Sequence, residues 1–274
     1  MHPNVSYLIM ATPRSGSFLL CEGLINTNLA GRPTEYFGPT QIKLLLKEWD
    51  VPDYATCLAH ILEKGTTPNG VFGAKIIWQF IEYFVDHLRD IPGYEKLPMP
   101  QLMSTIFPHM SYIWITRRDK VRQAISYWKA LQTNHWIGFE GWQPPAQIPP
   151  QKRVLTENEK QHLSKKEVIF DFKTIERLRR DIEEDELEIQ QYFTACGVQP
   201  FKVVYEDFVD TYEETVSQIL AYLQIPLPAQ LVFGERKLKK QTNEQSEEWV
   251  QWYYEMKQKE DRVQKSAKRE RGER

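Results

Sequence analysis

The sequence predicts an α/β fold, three-layered α/β/α, built on a central mainly parallel sheet. Three observations carry this: short apolar runs of buried-strand length, segments of helical periodicity between them, and Pro- or Gly-bearing turns at the junctions. Strands that alternate with helices favour parallel pairing, with helices covering both faces of the sheet. A chain of 274 residues suits one large domain or two modest ones, and the reading adopted is a single domain over 1–256. Within it 138–165 is a surface insertion or lid, and 257–274 is a charged tail. With 41% hydrophobic residues and 8 Trp, the chain can build a sizeable core without disulfides.

The run Tyr7-Leu8-Ile9-Met10-Ala11 reads as the first buried strand, and it leads into Thr12-Pro13-Arg14-Ser15-Gly16-Ser17, a loop marked by its Pro and Gly. From Phe18 to Ile25 the residues Phe18, Leu19, Leu20, Leu24 and Ile25 recur at helical spacing, so the loop opens a helix with Ser15 or Ser17 near its N-cap. After the turn Pro68-Asn69-Gly70, Val71 to Trp78 is a second strand, and Ser111 to Thr116 a third; both are apolar enough to lie centrally. Arg117-Arg118-Asp119 then opens a helix with Val121, Ala124, Ile125 and Trp128 on one face and Asp119 as candidate N-cap. A long helical stretch runs from about Phe172 to Ala195, and Phe201 to Tyr205 is the fourth strand. The Pro-rich segment Gly138 to Pro150 belongs at the surface, as a lid or an insertion. From Lys257 onward the Lys/Glu/Arg-rich sequence is a solvated helix or a disordered tail.

A net charge of −2 gives no global argument for nucleic acid or an anionic membrane surface, so any anion site must be local. Cys21, Cys57 and Cys196 are widely spaced and form no CxxC pair; they read as buried thiols of a reducing compartment. No stretch has the length of a transmembrane helix, and the run ending at Ala11 is too short for a signal-peptide core, so the expected location is the cytoplasm. No His or Cys pair has metal-ligand spacing, and no metal is expected.

A loop that leaves the first strand and opens a helix is a ready anion site, because free N–H groups and the helix dipole converge there. Gly16 lets an anion approach the backbone, Ser15 and Ser17 offer hydroxyls, and Arg14 offers a planar fork. The Walker pattern is absent: the loop lacks both its first Gly and the Lys before the hydroxyl residue. Lys75 is out of place among the apolar residues of its strand; either it has a buried partner or ligand, or it faces water from an edge.

Thr12 to Leu20 resembles the 5′-phosphosulfate loop of the sulfotransferase superfamily, and Arg117-Arg118-Asp119 with Ser126 resembles its 3′-phosphate motif. Counting eight residues back from Ser126 selects Arg118, whereas the position directly after the strand selects Arg117. More narrowly, Ala30 to Phe37, Thr67 to Lys75, Gln123 to Trp128 and Ser246 to Val250 resemble the bacterial trehalose 2-sulfotransferase (Stf-type) family, in order from residue 7 to about 254. The resemblance implies a P-loop-like fold and transfer of a sulfuryl group from 3′-phosphoadenosine-5′-phosphosulfate (PAPS) to a hydroxyl of a small acceptor, a sugar or glycolipid precursor, in a homodimer and without metal. It implies that Arg14, Ser15, Gly16 and Ser17 cradle the 5′-phosphosulfate, and that Arg117 or Arg118 with Ser126 holds the 3′-phosphate. Gln241, Thr242 and Ser246 would close over the 3′-phosphate and adenine, with Trp249 stacking or anchoring that segment. Arg32, Pro33, Thr34, Glu35, Tyr36 and Phe37 would form the acceptor side, with Glu35 as general base. Lys75 would share the transition-state charge with Arg14.

Two positions depart from the family pattern. Phe18 stands where many relatives have Thr, and Arg32 stands where trehalose-acting relatives tend to carry an acid, so an acceptor bearing a carboxylate or phosphate would suit Arg32. Two rival readings are a P-loop-like nucleotide kinase, which the missing Walker Lys opposes, and a non-catalytic module that binds PAPS or its desulfated product and tolerates Glu35→Gln.

Overall fold

The computed structural model describes residues 3–107, 109–134, 136, 168–237 and 244–270. Strands β1 (Val5–Ala11), β2 (Val71–Ile77), β3 (Met110–Thr116) and β4 (Phe201–Val204) form a sheet in the order β2-β1-β3-β4, parallel throughout. β1 is therefore central, with Ile9 paired to Lys75 on one side and Ile113 on the other.

The pleat sends alternate β1 side chains to opposite layers. Leu8 and Met10 enter one core with α2 (Pro39–Glu48), α3 (Tyr54–Gly65), α4 (Ile81–Arg89) and α5 (Met99–Ile106). Tyr7, Ile9 and Ala11 enter the other, with α1 (Ser17–Ile25), α8 (Tyr205–Asp210) and α9 (Tyr212–Tyr222). A third cluster joins α6 (Lys120–Thr133), α7 (Phe172–Cys196) and α10 (Glu244–Glu270) around Trp128, Ile175 and Trp249. The layering is the expected α/β/α. Asp119 caps α6, its carboxylate accepting from Arg122 N at 2.8 Å.

Three expectations need correction. β3 is central, but β2 is an edge of the four-stranded sheet, and it is buried along its whole length because another segment covers it. Lys75 N donates to Thr34 O at 2.9 Å, and Gly31, at φ 69°, brings its backbone so near that an added Cβ would lie 2.6 Å from Gly73 N. Neither Ser15 nor Ser17 caps α1: the N-cap is Gly16, with no side-chain bond. Cys21 and Cys57 are buried, but Cys196 is only half-buried at the end of α7. Of the two readings past residue 257, the helix is what the structure holds as far as Glu270: α10 continues unbroken and Lys257 bonds Glu176 on α7. The segments 138–150 and 138–165 lie outside the described residues. No helix among the described residues is long and apolar enough to cross a membrane.

Candidate active site

After β1 the chain runs to β2 on one side of the sheet and later returns to β3 on the other, so β1 and β3 flank the point where strand order reverses. In open α/β sheets the crevice beyond the strand ends at such a point is where ligands bind. The loops 12–16 and 117–119 leave those two strand ends.

The first loop holds two left-handed residues, Arg14 at φ 62° and Gly16 at φ 92°. Alternating hand turns successive N–H groups toward one concave side, and Ser17 and Phe18 add first-turn N–H groups that have no intrahelical acceptor. Gly16 is required twice, by its φ and because an added Cβ would lie 2.2 Å from the Tyr205 ring. Ser15 Oγ is buried without a hydrogen-bond partner among the described residues.

Arg14 Nε donates to Ser126 Oγ at 3.0 Å, and its Nη1 donates to the Trp136 carbonyl. Burial first, then the charge of Arg117, holds the Arg14 guanidinium down to about 10, so it remains a cation at neutral pH. Two arginines and a serine, read from separate motifs, thus share one spot. Arg117 lies over the Tyr205 ring, 5.0 Å from its centroid, with its Nε unbonded among the described residues and Glu206 Oε1 3.6 Å away. Arg118 points elsewhere: its side chain is 58% exposed and ion-paired with Asp207. Glu206 fixes the turn, accepting from Arg118 N at 3.0 Å and Asp119 N at 3.3 Å. Burial alone would raise the Glu206 pKa, but these bonds and Arg117 outweigh it and hold it below the usual range.

The covering segment carries Glu35 back over β2. Its Oε2 lies 2.8 Å from Lys75 Nζ, a close ion pair whose alignment is not that of a hydrogen bond. Glu35 Oε1 faces Gly38, the N-cap of α2, where the helix dipole favours a carboxylate. Lys75 is fully buried, and the Phe18 ring covers its ammonium with the centroid 3.4 Å from Nζ. Of the two readings of Lys75, the buried partner is what the structure holds. Cys21 stands behind the pair, and burial pushes its thiol up to about 12, leaving it neutral. Pro33 and Phe37 are buried, whereas Arg32 and Thr34 are exposed. The Tyr36 hydroxyl donates to Arg32 O at 2.8 Å; burial pushes its pKa up to about 12 against the pull of Arg32.

Ser246 on α10 accepts from Lys129 Nζ at 3.0 Å, one turn beyond Ser126 on α6. Trp249 anchors: it is buried, edge-on to Phe170 and under Lys129. Gln241 and Thr242 lie outside the described residues. The sequence reading gave no role to Gln123, whose fully buried amide donates to Thr12 Oγ1 at 2.9 Å and Pro13 O at 2.7 Å. Its place at the head of the family-like segment 123–128 was the available signal. Among the described residues no group of three or more His, Cys, Asp or Glu could hold a metal.

The model of the Stf0 sulphotransferase family matches residues 6–256. The chain belongs to that family. This sulfotransferase is similar to two curated relatives named trehalose 2-sulfotransferase. The one from Mycobacterium tuberculosis (Erdman strain) is 27% identical over 273 residues, covering 90% of this chain and 93% of the relative. The one from Mycolicibacterium smegmatis is 28% identical over 278 residues, covering 92% and 95%. Among solved structures it is similar to the sulfotransferase domain of the Synechococcus PCC 7002 olefin synthase, at TM-score 0.42 and 16% identity, covering 86% of this chain and 79% of that one. As a member of the Stf0 family the chain is a sulfotransferase enzyme, one that moves a sulfuryl group from a donor to an acceptor.

Proposed function

We propose that this sulfotransferase takes its sulfuryl group from PAPS and delivers it to a hydroxyl of a sugar, with Glu35 as general base. The observation that carries the donor reading is the meeting of Arg14, Arg117 and Ser126 beside the loop of residues 12–17. A guanidinium held down first by burial and then by the charge of a second guanidinium beside it is a receptor for an anion, and a donor phosphorylated at both 3′ and 5′ needs two adjacent anion sites. The residues fit such a donor. The buried Ser15 Oγ and Arg117 Nε have no hydrogen-bond partner among the described residues, and Gly16 keeps the loop free of side-chain bulk.

In this reading Ser15, Gly16, Ser17 and the first turn of α1 receive the 5′-phosphosulfate, Arg117 and Ser126 receive the 3′-phosphate, and Arg14 lies between them. When bound, the donor supplies the sulfuryl group and leaves as adenosine 3′,5′-bisphosphate. Glu35 then takes the proton of the attacking hydroxyl, the classical task of a positioned carboxylate, which supplies roughly 10²–10⁴-fold. Lys75, enclosed by Glu35 and Phe18, acts by holding that carboxylate in place rather than by touching the donor. The sugar acceptor rests on the names of the two relatives. Arg32, exposed three residues before Glu35, favours an acceptor that also carries a carboxylate or phosphate.

The test is calorimetric titration with adenosine 3′,5′-bisphosphate against ATP with Mg²⁺, followed by sulfation assays on trehalose and on anionic sugars. Binding of the bisphosphate and PAPS-dependent sulfation of a sugar support the reading. Preference for ATP, or binding without any transfer, removes it in favour of the kinase or the non-catalytic module.

A further inference from the structure

The loop of residues 12–17 is strained, because Arg14 is a non-glycine residue at φ 62°, a backbone conformation that an L side chain adopts at a cost. Something must hold it. Within the loop itself the bond from Ser15 N to Thr12 O, at 3.3 Å, is long. Further restraints come from the Trp136 carbonyl, which accepts from Arg14, and from the neighbouring helix α6. Ser126 takes Arg14, and one turn earlier Gln123 takes the two residues before it.

The Gln123 amide nitrogen has two N–H groups, and both are used: one on Thr12 Oγ1 at 2.9 Å, one on Pro13 O at 2.7 Å. Pro13 has no N–H and its carbonyl lies in a turn, so this side chain meets an acceptor that the loop does not meet itself. Gln123 is fully buried, and its Oε1 has no partner among the described residues, an arrangement that costs free energy unless the two donated bonds outweigh it. A leucine or methionine would fill the same space without that cost. The amide is there for what it holds.

We infer that Gln123 is a positioning residue for the donor: it fixes the 5′ anion loop to the helix that carries Ser126, so that the two anion sites keep one spacing. It touches neither anion. This inference rests on the PAPS reading of the site. Its signature is selective: loss of Gln123 loosens the loop, and hence the 5′ end, while leaving the Arg117 and Ser126 contacts of the 3′ end in place.

The experiment compares wild type with Gln123→Met, which keeps length and volume, by titration with three probes: adenosine 3′,5′-bisphosphate, adenosine 5′-monophosphate and adenosine 3′-monophosphate. The variant is expected to lose about tenfold in affinity for the bisphosphate and the 5′-monophosphate, the worth of one or two hydrogen bonds. For the 3′-monophosphate its affinity should stay within about twofold, and the KM for the donor should rise with little change in the KM for the acceptor. Thr12→Val, which removes one acceptor and little volume, should move the same quantities by less, and the double variant should be less than additive. Thr12→Val also carries the test should Gln123→Met not fold. Equal losses for the 3′ and 5′ probes would mark Gln123 as a mere core residue, and no loss at all would remove any role; either overturns the inference while leaving the donor reading intact. Failure of the wild type to bind the bisphosphate overturns both.

Discussion

Replacing Glu35 by Gln separates the ion pair this carboxylate makes from the proposed task of a general base. It faces a fully buried lysine at 2.8 Å, and with an effective dielectric of roughly 20 that pair attracts by about 6 kcal/mol before the cost of desolvating Lys75 is set against it. Removing one partner leaves the ammonium buried against the Phe18 ring. The expected loss of stability is about 3–5 kcal/mol, and loss of the base lowers kcat by roughly 10²–10⁴-fold. The double variant Glu35→Gln, Lys75→Met removes the stranded charge, so its stability should return to within about 1–2 kcal/mol of wild type while kcat stays low. Urea unfolding followed by Trp fluorescence reads the first quantity, and single-turnover transfer from PAPS to a sugar reads the second. A Gln variant keeping more than a tenth of the wild-type rate would refute Glu35 as base. A double variant as unstable as Glu35→Gln alone would refute the coupling to Lys75.

Gly16→Ala sets a Cβ 2.2 Å from the Tyr205 ring at φ 92°, and should cost about 2–4 kcal/mol with at least tenfold weaker bisphosphate binding; adding Tyr205→Ala should recover the clash but not the backbone strain, as read by urea unfolding. Arg117→Ala should weaken bisphosphate binding by about tenfold or more, and Arg118→Ala by less than about twofold, because Arg118 is exposed and tied to Asp207; equal effects would contradict this division. Burial would raise the Glu176 pKa, but bonds from Arg179, Tyr253 and Lys257 outweigh it and hold it well below the usual range. A depressed folded pKa stabilises fully above the unfolded value of about 4.3 and is lost as pH falls through the folded value. Glu176→Gln should therefore melt several degrees lower at pH 6, with the gap to wild type narrowing by pH 3; a gap independent of pH would contradict it.

The two strand-loop-helix units were legible because they are local: an apolar run of strand length, a loop with Gly or a cap, and a periodic helix lie within about twenty residues of one another. Asp119 could be read as a cap for the same reason. The helices α2 to α5 announce themselves less clearly, being 8–12 residues long with mixed composition. Lys75 betrayed itself as a charge in an apolar strand, but its partner could not be found from spacing, because Glu35 reaches it across a loop on a sheet edge. The choice between Arg117 and Arg118 was undecidable from order alone. Their side chains differ in burial, which is the ground for proposing Arg117, and that burial depends on Tyr205 and Asp207, some ninety residues away. Gln123 stands in a family-like segment but was given no role, because a neutral amide shows its use only through its two acceptors.

The position of β1 in the sheet has a consequence for how the chain reaches its native state. Its neighbours begin at Val71 and Met110, so the strand nearest the N-terminus gains its two edges only after long loops have closed. Until then Tyr7 to Ala11, all fully or nearly fully buried in the end, form an apolar strand with both edges open, a species that invites pairing with another copy. Refolding of this protein should therefore be slow and should lose yield as concentration rises, with residues 5–11 as the segment through which misassembly begins.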